Sequence, residues 1–143
     1  MFSTPVREVM VARKLLLAAP QTTVREAARS MARRSVGAVL IVDDERLLGI
    51  FTERDVVFRV VARGLDPAKI TIAEVMTADP KTIAPDKAFG IAMVLMHENG
   101  FRHLPVVENG HPIGIVSSRN ALDPDLEEFV AEERRREHLQ HQR

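Results

Sequence analysis

The chain has 143 residues, with 20 basic and 20 acidic side chains and no cysteine, Trp or Tyr, and it is long enough for one ordinary domain or two small ones. The missing cysteines exclude disulfides and thiolate metal sites. The balanced charge and the scarcity of aromatic residues argue against nucleic acid as a partner. No apolar run reaches membrane-spanning length, and the N-terminus lacks the regions of a signal peptide, so we expect a cytoplasmic protein with no membrane partner.

The first part of the chain predicts a short helix, a strand and a longer helix. Val6–Met10 is a helical lead segment, and Lys14–Ala18 is an apolar run short enough to be a strand. Thr23 and Glu26 form a capping-box pattern at the start of a helix whose apolar side chains recur with helical spacing. Ser35 lies near the end of this helix.

A β-hairpin is predicted next. Gly37–Val42 and Leu47–Phe51 are apolar runs typical of strands, and the polar turn Asp43–Arg46 joins them. Gly49, within the second run, has no side chain, so it permits the backbone of another segment to approach closely.

The helix after this hairpin begins with the most informative residues of the chain. Thr52 is its predicted N-cap, Asp55 lies one turn in, and Gly64 ends the helix after about Arg63. The N–H groups at a helix start attract anions, and Asp55 could accept both hydroxyl groups of a ribose. The same Thr-x-x-Asp spacing is also a capping box, in which both side chains serve the helix itself. On these residues alone, the capping interpretation is favoured.

The second half of the chain repeats the first. Residues 64–71 predict a connector, after which Ile72–Met76 resembles the lead segment. The following residues align without a gap: Ala27 with Ala92, Met31 with Met96, Val42 with Val107, Gly49 with Gly114, Ile50 with Ile115 and Arg54 with Arg119. Internal repetition of this kind is the strongest architectural signal in the sequence. We therefore expect a first repeat over residues 5–63, a second over 72–123, and a charged C-terminal helix or tail over 124–143.

The second repeat differs from the first at key positions. Its predicted strands are His103–Val107 and Ile113–Val116, and Pro105 favours an edge or short strand because proline cannot donate to a ladder. Ser117 and Asn120 stand where the first repeat has its threonine and aspartate.

The two repeats resemble a tandem pair of CBS domains. The resemblance rests on Gly49–Asp55, the Val-Met ends of both lead segments, Phe101–Val107 and Gly114–Ser117, and it covers most of the chain. It implies an α/β fold with α+β character, in which two β-α-β-β-α repeats are related by a pseudo-twofold axis and packed through their sheets. It also implies a homodimer, and clefts between the repeats that bind AMP, ADP, ATP, NAD or S-adenosylmethionine.

The resemblance further implies the ligand-binding residues. Asp55 matches the ribose-binding acid, Thr52 its companion hydroxyl near the phosphate, and Arg102 and His103 match basic positions that reach toward the phosphate from the second repeat. These residue types suit the roles, because arginine can bind phosphate through two hydrogen bonds and histidine gains charge near an anion. The implied set is completed by Gly37, Ala38 and Val39 beside the base, by Arg54, for which a phosphate contact and a plain surface role stay open, and by Ser117 and Asn120 in a weaker second cleft.

We therefore predict a non-catalytic regulatory module that binds an adenosine nucleotide between its repeats and acts on an unidentified partner protein. AMP, ADP, ATP or NAD(H) is expected ahead of S-adenosylmethionine, with no obligatory cofactor and no metal site. Two alternatives stay open: a protein-interaction module with vestigial clefts, and a nucleotide-hydrolysing enzyme. The sequence contains no clear nucleophile constellation, which argues against the enzyme.

Overall fold

Two antiparallel β-hairpins, one in each half of the chain, lie at the centre of the computed structural model, which describes residues 2–12, 15–122 and 132–140. The strands are β1 (Leu17–Ala18), β2 (Ala38–Asp43), β3 (Arg46–Thr52), β4 (Thr77–Ala78), β5 (His103–Glu108) and β6 (His111–Ser117). The helices are α1 (Val6–Val9), α2 (Val24–Arg34), α3 (Glu53–Asp55), which continues as a π-helix (Val56–Val61), α4 (Ile72–Val75), α5 (Phe89–Asn99) and a 3₁₀-helix (Ser118–Leu122).

Helix α2 begins with the predicted capping box. The Glu26 N–H donates to Thr23 Oγ1 at 3.1 Å, and the Thr23 N–H donates to Glu26 Oε2 at 3.3 Å. The helix ends at Ser35, whose φ of 54° is left-handed and stops the helical path. The predicted helix is therefore confirmed.

Both hairpins turn through two residues with left-handed backbone. Asp44 and Glu45 have φ values of 50° and 65°, and Asn109 and Gly110 have 55° and 82°. Such turns match the right-handed twist of the paired strands. The predicted hairpins are confirmed with small displacements at the strand ends, whereas β1 is shorter than the predicted strand, whose Lys14 lies outside the described residues.

Pro105 is accommodated within β5 because the missing N–H faces a sparsely paired side. In the first repeat, the equivalent Leu40 donates its N–H to Leu16 O at 2.9 Å, away from the hairpin partner. On that side of β5 the neighbour is the isolated bridge of Ile83, whose N–H donates to Pro105 O at 3.0 Å. The proline therefore omits one flanking bond and leaves the β5–β6 pairing intact.

The lead segments are exchanged between the repeats. The α1 residue Val6 packs in the core of the second repeat, whereas Ile72 and Val75 of α4 pack in the core of the first. The chain that follows each helix crosses in the same sense, because β4 pairs with β3 and Val11 forms a bridge with Ile115 of β6. Each sheet is thus completed by a segment from the other half of the sequence.

The strands alternate between two kinds of core. Val39 and Phe51 face an outer core that also holds α2 and the π-helix. Leu40 and Ile50 point the other way and pack with Ile115 of the second repeat. The contact between β3 and β6 therefore joins the two hairpins, and it confirms the predicted α/β fold of two repeats packed through their sheets.

The helix after Thr52 differs from the prediction in its winding. Only Glu53–Asp55 is α-helical, and Val56–Val61 is a π-helix in which the Ala62 N–H donates to Val57 O at 2.9 Å. The run contains four valines, which have a slightly lower α-helix propensity because their branched side chains lose rotamer freedom against the preceding turn. Gly64, with a φ of 68°, follows the helix as predicted.

The C-terminal part of the predicted tail is helical over residues 132–140, while the rest of 124–143 lies outside the described residues. Arg136 is within 3.9 Å of Glu132 and 3.5 Å of Glu133, so this helix pairs at least one of its cations with its own acidic residues. No helix in the described part of the chain is both long and apolar enough to cross a membrane.

Candidate functional site

A cleft of about 720 Å³ lies between the repeats at the end of β3. Three parts of the chain line it. They are the start of the α3 and π-helix segment, the residues 77–81 at and after β4, which we call the crossing segment, and the loop before β5. The predicted site residues that it brings together are Thr52, Arg54, Asp55, Arg102 and His103.

Asp55 is held by the first repeat in a capping box. Its Oδ2 accepts the Thr52 N–H at 2.9 Å and the Thr52 hydroxyl at 3.2 Å, and its own N–H donates to Thr52 Oγ1 at 3.4 Å. Its Oδ1 lies 3.4 Å from Arg59 Nε, and the side chain is 13% exposed. An ionised carboxylate has about four acceptor positions, so Asp55 retains capacity for a ligand hydroxyl. The capping and ligand-binding interpretations are therefore compatible.

Arg59 connects Asp55 to the end of α4, directly before the crossing segment. Besides its ion pair with Asp55, its guanidinium donates to the carbonyl oxygens of Val75 at 3.1 Å and Met76 at 3.2 Å. The sequence interpretation had not singled out this residue. It fixes the carboxylate relative to the segment that forms the next wall of the cleft.

The equivalent cap in the second repeat uses an amide. Asn120 Oδ1 accepts the Ser117 N–H at 2.8 Å and the Ser117 hydroxyl at 3.3 Å. The geometry matches that of Thr52 and Asp55, but the acceptor is uncharged. Ser117 and Asn120 line neither this cleft nor a smaller one of about 460 Å³ beside Gly37, so their ligand role stays a prediction.

The helix start is less available to an anion than the sequence suggests. The Glu53 N–H donates to Gly37 O at 3.0 Å, and the Asp55 N–H is used by Thr52. Because these donors are already satisfied, side-chain cations are the stronger candidates for binding a phosphate.

Cationic side chains line the cleft from several elements. Arg102 and His103 come from the second repeat, Lys81 from the crossing segment, and Arg54 from α3, where its guanidinium lies 4.9 Å from the centre of the Phe58 ring. Burial is the largest influence on His103 and lowers its pKa, Glu53 opposes this, and Arg119 and Arg102 add to it. His103 is therefore mainly neutral near pH 7 when no ligand is bound.

The lowered pKa of His103 predicts a pH dependence of stability. The unfolded chain binds a proton at this position more readily than the folded protein, so the free energy of unfolding should fall as the pH drops below about 6.5. Urea unfolding between pH 7.5 and 5.5 should show this loss, and His103→Gln should reduce it. An identical slope in both proteins would contradict the assignment.

Gly37, Ala38 and Val39 are not brought into the Asp55 cleft. Gly37 lines a smaller cleft of about 460 Å³ together with Arg119. Ala38 is buried between the sheets and Val39 in the outer core, because alternate residues of β2 face opposite sides. A direct ligand role for these three residues in the Asp55 cleft therefore finds no support in the geometry.

The sequence interpretation missed most of the second wall. Thr77, Asp79, Pro80 and Lys81 line the cleft because the lead segment of the second repeat crosses to β3. These residues directly follow the Val75–Met76 pair at the end of α4. That position indicates a place in the cleft only when it is known that the lead segments are exchanged between the repeats. Among the described residues, no cluster of three or more His, Asp or Glu side chains could hold a metal ion.

Comparison with known proteins agrees with this architecture. The sequence profile of the CBS domain matches residues 6–62 and 72–125. The chain is 43% identical over 102 residues to CBS domain-containing protein CBSCBSPB2 of Arabidopsis thaliana, covering 71% of the chain and 19% of that protein. The first curated relatives are all much longer, and the chain spans about a fifth of their length.

Solved structures share the same fold. A putative signal-transduction protein with CBS domains from Burkholderia ambifaria is 30% identical with a TM-score of 0.79, covering 86% of this chain and 94% of that one. The CBS domain pair of protein MJ0100, solved with 5-methylthioadenosine and S-adenosyl-L-methionine, is 26% identical with a TM-score of 0.74, covering 82% and 96%. The chain therefore belongs to the CBS domain family and contains two CBS domains in tandem.

Proposed function

We propose that this chain is a non-catalytic, cytoplasmic regulatory module that binds an adenosine-containing nucleotide in the Asp55 cleft. The observation that carries the proposal is the meeting of Thr52 and Asp55 from one repeat with Arg102 and His103 from the other in a single cleft of about 720 Å³. The carboxylate suits a ribose diol and the cations suit phosphate. We propose AMP, ADP, ATP or NAD(H) ahead of S-adenosylmethionine, because the last ligand has no phosphate for the cations.

Ligand binding would bias the relative orientation of the repeats. At the hairpin turns, His111 Nδ1 lies 2.9 Å from Glu45 O, and the Leu47 N–H donates to Gly110 O at 3.4 Å. These contacts hold the repeats together at the opposite ends of the strands from Thr52. A ligand that bridges the repeats at the Asp55 cleft would favour one orientation about these contacts, and a partner protein would read that change.

Calorimetric titration tests the binding proposal. AMP, ADP, ATP, NAD(H) and S-adenosylmethionine would each be added to protein freed of co-purified ligand, with GMP and CMP as base controls. We expect binding of at least one adenosine nucleotide with a stoichiometry of one per chain. If none binds to the folded protein, the interaction-module alternative replaces this proposal. If ATP with Mg²⁺ is turned over into product, the non-catalytic assignment is wrong.

The proposal includes a homodimer. The π-helix and its start expose three large apolar side chains, with Val57 54%, Phe58 59% and Val61 68% accessible. On α5, Ile91 and Val94 are also about half exposed. Exposed apolar side chains clustered on one helix favour association, and a second copy of the chain would cover them.

Val61→Arg is expected to weaken the dimer. Val61 does not line the cleft, and a charge placed in an apolar interface should raise the dimer dissociation constant by about tenfold or more. Sedimentation velocity across a concentration series measures this shift. Leu17→Arg is a matched control, because Leu17 is also an exposed apolar residue but belongs to β1 and not to the π-helix. Equal effects of both variants, or a monomeric parent protein, would contradict the proposed interface.

A further inference from the structure

Glu53 occupies an unusual position between the two clefts. It lines both the large cleft of Asp55 and the smaller cleft of Arg119. A Cβ atom built on Gly37 would lie 3.0 Å from Glu53 Oε1 and 3.4 Å from His103 Nε2. The carboxylate and the imidazole therefore flank Gly37 at the junction of the repeats.

The carboxylate of Glu53 has no direct ion-pair or hydrogen-bond partner in the described part of the chain. The titratable group that senses its charge is His103. Asp55 differs, because Thr52 donates to it and Arg59 lies 3.4 Å away. Glu53 thus places an acidic side chain without a direct partner in a cleft that also holds the cations expected to bind phosphate.

The charges that line the large cleft balance. Its acidic side chains are Glu53, Asp55 and Asp79, and its permanently charged basic side chains are Arg54, Lys81 and Arg102. In the nucleotide complex proposed above, Asp55 is engaged by the ribose. Each phosphate beyond the first adds negative charge near the unpaired Glu53, without any further permanent cation among the described lining residues to offset it.

We propose that Glu53 is a selectivity residue, which makes the cleft prefer a nucleoside monophosphate over the triphosphate. The inference rests on the proposed nucleotide binding and specifies which nucleotide class the same cleft selects. The second repeat carries Ser118 at the equivalent position, immediately after Ser117, so this source of repulsion belongs to the first repeat alone.

The test compares the dissociation constants of AMP and ATP for the full chain. Calorimetry would be performed without Mg²⁺ and at constant ionic strength for the parent protein, Glu53→Gln and Glu98→Gln. Glu98 is a matched control because it is an exposed glutamate of α5 that lines neither cleft. We expect Glu53→Gln to tighten ATP binding by about tenfold and AMP binding by clearly less, while Glu98→Gln changes neither.

Two further readouts separate charge from structure. The gain in ATP affinity should shrink between 50 and 300 mM salt, because added salt shortens the Debye length and screens the repulsion between Glu53 and the phosphates. Glu53→Asp keeps the charge, so it should retain the preference for AMP. If Glu53→Gln does not fold, Glu53→Ser removes the charge instead, since serine is the residue that the second repeat carries at this position. An unchanged ATP-to-AMP ratio in Glu53→Gln, or an equal change in Glu98→Gln, overturns the selectivity role alone. If neither AMP nor ATP binds the parent protein, this inference is wrong, and the proposed function is wrong as well only if ADP, NAD(H) and S-adenosylmethionine also fail to bind.

Discussion

Asp55→Asn is expected to weaken binding of the adenosine nucleotide by about 10- to 100-fold, because hydrogen bonds to a charged acceptor contribute about 1.5–3 kcal/mol. The substitution should leave the fold intact. Asn120 already makes the equivalent cap in the second repeat, with its Oδ1 2.8 Å from the Ser117 nitrogen. Calorimetry with the best ligand and thermal unfolding of the same samples would measure the two properties separately.

A companion variant shows why asparagine is the informative change. Asp55→Ala would remove the cap as well as the charge, and loss of an N-cap interaction costs about 0.5–2 kcal/mol of stability. Weaker binding by Asp55→Ala could then follow from a disturbed helix start. If Asp55→Asn is folded and binds as tightly as the parent protein, Asp55 serves only as a cap and the ribose role is wrong.

Gly49→Ala is expected to lower the free energy of unfolding by about 1–3 kcal/mol, as overpacking of a filled site typically does. A Cβ atom on Gly49 would collide with Met76 Sδ and would lie 2.8 Å from the carbonyl oxygen of Thr77. The thioether can rotate away, but the carbonyl belongs to β4, which pairs with Gly49 itself. The clash between the added Cβ atom and the Thr77 carbonyl oxygen can therefore be avoided only if the crossing segment moves.

Gly114→Ala is the matched comparison in the other repeat. Its Cβ atom would lie 2.6 Å from Met10 Sδ and 3.2 Å from Val11 O, so the backbone conflict is milder and the methionine can absorb more of it. Urea denaturation should show the larger loss for Gly49→Ala. The crossing segment Thr77–Lys81 also lines the cleft, so this variant should weaken ligand binding too. Equal stabilities of both variants and the parent protein would show that the close approach is unimportant.

Local patterns were sufficient to predict most individual elements. Thr23 and Glu26 mark the start of α2 because a capping box depends on residues only three positions apart. The hairpins follow from apolar runs around polar turns for the same reason. The exchange of the lead segments was not predicted, since no local pattern of Val6 or Ile72 states which sheet the segment will join.

The site was predicted in part for a related reason. Asp55 and Arg102 were found through the repeat and the family resemblance, and the structure places both in one cleft. Glu53 was passed over because an exposed glutamate at a helix start is common, and its significance depends on Gly37 and His103 from distant parts of the sequence. Which residues of a strand face a cleft depends on three-dimensional packing, and the sequence does not record it.

The exchanged lead segments make the two halves mutually dependent. The first outer core needs Ile72 and Val75 from beyond the connector, and the second needs Val6 from the beginning of the chain. A fragment that ended at the connector would lack the α4 residues of its own core. It would also carry helix α1, which packs in the core of the missing second repeat. We therefore expect the two halves to unfold as one cooperative unit, because neither outer core is complete without a segment from the other half.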